Sequence, residues 1–256
     1  MGALQRKPHQ FLGSMISSQA LALSVLGNLQ YYGKLDILAG LRDEDGLPVF
    51  PAALFEHGPA LEFEHAITYL GERQSVNVDA LFDGRYRVAV ECKLTEVQFA
   101  PCSRPALAQR ASNYAADFCN GTYTLQRGRS HRCSLAETGS RYWAYIAHLF
   151  HWKTERDLLP CPLCDTYQLV RNVLAACIRP DGSLAADAGH AVLLYDGRNP
   201  AFREGGKCYA AWQAVRAGLK DPTRLRRATW QQVAAALRRE PTLEWLGEGL
   251  HLKYGL

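Results

Sequence analysis

Asp79, Glu91 and Lys93 are the residues of this chain whose types and spacing could do chemistry together. Two carboxylates converging on one point suit a hard divalent cation, Mg²⁺ with part of its water shell. An amine beside them sets a positive charge next to a cation-activated water or a phosphate oxygen. The three come from SVNVDALF (75–82) and YRVAVECKL (86–94), which alternate with period 2 and are joined by Asp83-Gly84-Arg85, a hairpin signal. Residues two apart in a strand share a face, so Val88, Val90, Cys92 and Leu94 lie opposite Ala89, Glu91 and Lys93. Val76, Val78, Ala80 and Phe82 separate likewise from Asn77, Asp79 and Leu81.

Requiring the apolar faces to coincide selects a loop of Asp83-Gly84-Arg85, which pairs Phe82 with Tyr86, Ala80 with Val88 and Val78 with Val90. Asp79 is then expected opposite Ala89 and diagonal to Glu91, at the ~7–8 Å Cα spacing of diagonal neighbours. Ala89 leaves room for an ion there. The same pattern also describes a solvated strand face on which Glu91 and Lys93 form a surface ion pair.

The elements that must hold this hairpin can be read from period and caps. Ser17 to Leu29 is helical, GLRDEDGLPVFP (40–51) is rich in turns, and 58–74 places Phe63, Ala66, Ile67 and Leu70 on one helical face. Further helices are expected at 106–118, 166–178, 208–219 and 230–240, the last opened by a Thr229/Gln232 capping box. Residues 141–149 suit a strand or a short helix, and HAVLLY (190–195) reads as a buried strand. Neither an internal repeat nor a long linker interrupts residues 1–256, so one mixed α/β domain is the expectation. The composition agrees: 48% hydrophobic, 21% charged, net charge +4 and a mean hydropathy of −0.19. It excludes a membrane-spanning helix, global disorder, and collagen or coiled-coil architectures. The mild basicity is compatible with a nucleic-acid partner without demanding one.

Asp79 followed after a hairpin by Glu91-Cys92-Lys93 resembles the PD-(D/E)xK nuclease superfamily, with its restriction endonuclease-like fold, over roughly residues 58–118. The flanks SSQALALSVLGNL, FAPCSRP, YQLVRN and DGRNPAF look like a prokaryotic restriction endonuclease branch. The resemblance implies a three-layer α/β/α domain around a central mixed sheet and Mg²⁺-dependent hydrolysis of DNA, with Mn²⁺ able to substitute. It assigns Asp79 and Glu91 to the metal, Lys93 to the attacking water, and an upstream helical carboxylate, Glu64 or failing it Glu62, to a supporting role. Val78 stands where the superfamily's name has proline. A homodimer or a defence-system partner protein would accompany double-strand cleavage.

Other residues invite chemistry less specifically. Arg104, Arg127, Arg129 and Arg132 are candidate phosphate contacts, though solvated loops would look the same. Gln109 and Tyr114 miss by one residue the four-residue step of a Gln/Tyr motif seen in some relatives and read as packing.

Met15 to Leu26 follows Arg6 and Lys7 as a signal core would, but Ser17, Ser18 and Gln19 interrupt it and its period suits an amphipathic helix. A cytoplasmic chain with reduced thiols follows as an expectation. Cys161-Pro-Leu-Cys164 is half of a zinc site, which His148 and His151 could complete. Cys102, Cys119 and Cys133 with Cys161 and Cys164 form an alternative zinc or iron–sulfur set. Cys92, Cys177 and Cys208 read as buried packing residues. The competing function is a non-catalytic nucleic-acid-binding module on the same fold, stapled by a Cys/His metal.

Overall fold

The computed structural model describes residues 17–56, 58–72, 76–102, 133–152 and 161–256. The helix expected at 106–118 lies outside them. Seven α-helices are described: α1 (Ser18–Tyr31), α2 (Ser134–Glu137), α3 (Tyr142–Leu149), α4 (Leu163–Cys177), α5 (Lys207–Gly218), α6 (Trp230–Leu237) and α7 (Glu244–Tyr254). Five strands, β1 (Ala60–Ile67), β2 (Val76–Asp83), β3 (Arg87–Lys93), β4 (Gly189–Tyr195) and β5 (Leu225–Thr229), form one sheet in the order β1-β2-β3-β4-β5. The first three strands run as an antiparallel meander, and β3, β4 and β5 are parallel. The α4 crossover joins β3 to β4. This is a mixed sheet between two helical layers, the restriction endonuclease-like three-layer arrangement.

The layers follow from where the apolar residues fall. On one side, Leu21, Val25, Leu26 and Leu29 of α1 pack with Trp230, Val233 and Leu237 of α6 against Ala80, Phe82, Val88, Val90 and Cys92. On the other, Leu169, Val170, Val173 and Leu174 of α4 and Trp212 and Val215 of α5 cover Leu81, Ala89, Ala191 and Leu193. Every residue of β3 is buried, as expected of a strand covered on both faces. Ser17 caps α1 by accepting the Ala20 N–H at 3.1 Å, and the Thr229/Gln232 capping box is formed. Residues 141–149 resolve as helix.

Residues 58–74 are not a helix; their core is strand β1. Leu61 and Phe63 alternate toward the α1 layer, while Ile67 reaches the α4 layer. The change of face occurs around Glu64, whose φ of 50° makes it the one non-glycine residue with positive φ among those described. That break converts a period-2 pattern into apolar spacings of three and four, which imitate a helix.

The hairpin register also differs from expectation. Phe82 pairs with Val88, Leu81 with Ala89 and Ala80 with Val90. This is a slip of two residues from the expected pairing of Phe82 with Tyr86. Matching faces fixes only the parity of a register, so a two-residue slip keeps Ala80 and Phe82 on the face of Val88 and Val90; Val78, expected with them, instead packs in the α4 cluster with Leu81, because β2 changes face at Asp79. Tyr86 leaves the strand because its hydroxyl meets His190 Nδ1 at 3.0 Å, and Asp83 closes the hairpin through a 2.9 Å ion pair to Arg87 Nε.

Candidate active site at the Asp79–Glu91–Lys93 face

Strand parity brings Glu91 and Lys93 to the α4 side, where Lys93 Nζ lies 2.8 Å from Glu91 Oε1. Glu91 is 1% exposed and Lys93 8%. The solvated strand face is thereby excluded: this is a buried ion pair, sustained only if its remaining hydrogen-bonding capacity is met. Helix α4 meets it. Gln168 Nε2 donates to Glu91 Oε1 at 2.6 Å and Asn172 Nδ2 to Oε2 at 2.7 Å. Residues four apart share a helix face, so one turn of α4 grips both carboxylate oxygens. Arg171 Nη2 stands 3.7 Å from Oε2.

The two-residue slip sets Asp79 level with Glu91 instead of Ala89. The ladder ends at Ala80–Val90, and Asp79 Oδ2 accepts the Cys92 N–H at 2.6 Å. Burial, reinforced by the nearby Glu91 carboxylate, pushes the Asp79 carboxyl well above the usual range. Burial opposes the Lys93 ammonium, but Glu91 and Asp79 outweigh it and hold Lys93 above the ordinary lysine value. The two carboxylates thus favour the charged form of Lys93.

Glu64 also reaches this face. Its neighbours pair as Phe63–Ala80 and His65–Val78, which sets Glu64 level with Asp79, and Glu64 Oε2 accepts from Asn77 Nδ2 at 3.2 Å. The supporting carboxylate thus comes from a strand, where the resemblance implied a helix. Glu62 sits opposite Leu81 and pairs with His65 Nδ1 at 2.6 Å.

The chain beyond Lys93 is fastened on three sides. Trp230 Nε1 donates to the Lys93 carbonyl at 3.1 Å. Glu96 accepts from Ser18 Oγ and from the Leu94 N–H, both at 2.6 Å. Asn199 Nδ2 donates to the carbonyls of Leu94 and Glu96, each at 3.0 Å. Glu96 is an anchor. Gln168 Oε1 accepts the Ala100 N–H at 2.9 Å, so the side chain that grips Glu91 also holds the outgoing segment.

Asp79 and Glu91 supply the hard oxygen donors a divalent cation takes. Set level with each other on adjacent strands, these two side chains bring the kind of oxygens that a Mg²⁺ or Mn²⁺ site uses. Gln168, Arg171 and Asn172 escaped the sequence reading of the site. The signal was present in YQLVRN, where Gln168 and Asn172 stand four apart in a periodic helix.

The cysteines divide. Cys92, Cys177 and Cys208 are buried, and burial pushes the Cys177 thiol up to about 12 and Cys208 to about 11, as befits packing residues. The Cys102 N–H donates to the Cys164 carbonyl and the Cys164 N–H to that of Cys161, both at 3.1 Å, so these residues come together through backbone. Cys133 belongs to the same apolar cluster as Cys161, and His148 and His151 are exposed. Among the described residues, no group of three or more His, Cys, Asp or Glu is arranged to hold a metal ion. Cys119, Arg104, Arg127, Arg129, Arg132, Gln109 and Tyr114 lie outside the described residues. Among those described, no helix is long and apolar enough to cross a membrane.

Compared with known proteins, residues 3–255 match the family model described as Restriction Endonuclease associating with ARP. No curated protein and no solved structure matches.

Proposed function

The chain belongs to this restriction endonuclease family, and from that premise we propose that it is a metal-dependent endonuclease of the PD-(D/E)xK type. Its substrate is DNA, its reaction phosphodiester hydrolysis, and its setting prokaryotic restriction or defence. The observation that carries the reading is the buried Glu91 carboxylate, gripped by Gln168 and Asn172, with Lys93 on one oxygen and Asp79 level with it. A structural ion pair needs no second carboxylate level with it; a divalent site does.

A bound Mg²⁺ would polarise a phosphate oxygen and acidify a water. Asp79 and Glu91 would hold the ion, with Glu64, level with Asp79, as a further carboxylate nearby. Lys93, as an ammonium, would orient the attacking water and offset charge that develops on the phosphoryl oxygens. Gln168 and Asn172 keep the Glu91 oxygens aimed while Trp230 and Asn199 fix the backbone around Lys93.

The test is nicking of supercoiled plasmid. Cleavage is expected with Mg²⁺ or Mn²⁺ and none with Ca²⁺ or EDTA. Cleavage that persists in EDTA, or in Lys93→Ala at the wild-type rate, overturns the proposal.

A further inference from the structure

Arg171 is a buried cation held to the site by one long ion pair. Its side chain is 6% exposed and its Nη2 stands 3.7 Å from Glu91 Oε2, an ion-pair separation and not a hydrogen bond. Nε donates to Asn172 Oδ1 at 3.2 Å. One turn back on α4, Tyr167 points its hydroxyl at Glu72, and so does Tyr142; both phenols donate to the same oxygen, Oε1. The two rings stack with centroids 5.6 Å apart. The other oxygen, Glu72 Oε2, is buried and has no hydrogen-bond partner among the described residues. Burial raises the Glu72 carboxyl, and Arg171 is among the groups that pull it back. A guanidinium in loose contact with one carboxylate thus shares helix α4 with a tyrosine that holds another, and that second carboxylate has an acceptor to spare.

Resting on the metal-dependent reading above, we infer that Arg171 is a movable counter-ion of the metal site and that Glu72 receives it. Without metal, Arg171 and Lys93 balance Glu91 from its two oxygens. A divalent ion between Asp79 and Glu91 sets like charge against both cations. Lys93 carries its charge to the water and phosphate it serves. Arg171 is too buried to escape to solvent, because an unpaired guanidinium there is costly. Glu72, whose carboxyl Arg171 already pulls down electrostatically, offers a buried oxygen, Oε2, with no partner among the described residues. Arg171 is a positioning residue on this account: it holds Glu91 in its aimed rotamer before the metal arrives and yields the carboxylate afterwards.

The test is a double-mutant cycle read by Mn²⁺ affinity in titration calorimetry, without DNA. Glu72→Gln keeps an acceptor for the tyrosines and removes the charge; Arg171→Met keeps an apolar stem and removes the cation. Glu72→Gln is expected to weaken Mn²⁺ binding roughly tenfold in the wild-type background, the size of a coupling between neighbouring charged groups, and by less than about twofold in Arg171→Met. Equal weakening in both backgrounds, or none in either, overturns the inference.

Tyrosine absorbance gives a second reading that needs no Glu72 variant. Mn²⁺ should produce a tyrosine difference spectrum in the wild type as Arg171 reaches the Glu72–Tyr142–Tyr167 cluster, and none in Arg171→Met. A wild type that binds Mn²⁺ without that spectrum overturns the inference while leaving the nuclease reading standing. A wild type that binds no Mn²⁺ overturns both.

Discussion

Asp79 Oδ2 accepts the backbone N–H of Cys92 at 2.6 Å, and this bond marks where the β2–β3 ladder stops and the site begins. One oxygen of Asp79 is thereby spent on structure. Asp79→Asn can keep that bond through its carbonyl oxygen and lose only the charge, so it should fold normally and bind Mn²⁺ at least about tenfold more weakly, a modest figure for loss of a charged interaction. Asp79→Leu should in addition leave the Cys92 N–H unmet and cost about 1–3 kcal/mol. Urea midpoints and Mn²⁺ titrations separate the two losses.

Lys93→Ala removes the ammonium from Glu91 while Gln168 and Asn172 retain their bonds to it. Single-turnover nicking should fall by about 10²-fold or more, the size of effect seen when a positioned catalytic group is lost. Mn²⁺ affinity should not weaken, because a competing cation has gone from a ligand oxygen. A parallel loss of metal binding would place Lys93 in the scaffold and not in the chemistry.

Asn172→Leu deprives a carboxylate that is 1% exposed of its donor to Oε2. The expected penalty is about 1–3 kcal/mol in urea unfolding, since a buried acceptor loses its partner. Glu91→Gln in the same chain should recover part of it, because a neutral amide is easier to leave underbonded than a charge. A double variant as unstable as Asn172→Leu alone would show that Asn172 acts by packing.

His190 makes folding sensitive to acid. Burial, followed by the positive charge of Arg226, pulls its imidazole down from 6.5 to about 3. Its ring nitrogens meet Tyr86 Oη at 3.0 Å and the Val49 carbonyl at 2.8 Å. Above about pH 6.5 both folded and unfolded chains carry neutral His190, and the residue contributes nothing to the pH dependence. Between about 6.5 and 3 the unfolded chain takes up a proton that the folded chain refuses, so stability falls as pH falls, at up to ~1.4 kcal/mol per pH unit. Urea unfolding at pH 7, 6 and 5 should show this slope in the wild type and a flatter one in His190→Gln, the other titrating groups being common to both.

Gly189 opens β4 against the end of α4. A Cβ there would stand 2.2 Å from the Ala176 carbonyl oxygen and 3.0 Å from that of Arg87. Both are backbone atoms and cannot swing aside, so Gly189→Ala should destabilise by about 1–3 kcal/mol or more, as overpacking does. An unchanged thermal midpoint would mean that α4 can retreat from the sheet, and Glu91 should then lose its grip as well.

The sequence by itself determined which residues share a face. Period-2 alternation in 86–94 put Glu91 and Lys93 on one face before any coordinates, because strand geometry makes parity a local property, whereas in β2 the alternation breaks at Asp79 and Val78 packs on the α4 side. The helices at α1, α4, α5 and α6 were legible for the same local reason, through apolar period and caps. Tertiary structure decided what parity leaves open. The slip that set Asp79 level with Glu91 leaves Tyr86 outside the strand, where its hydroxyl meets His190, a partner 104 residues away along the chain.

Strand β1 was misread because Glu64 adopts a backbone angle that residue type does not announce, and the change of face there erased the alternation. The grip of Gln168 and Asn172 on Glu91 spans 77 and 81 residues. Its helical spacing could be seen in YQLVRN, but its target could not: a pattern along one element specifies a face, and only the packing of α4 on the sheet specifies what that face touches.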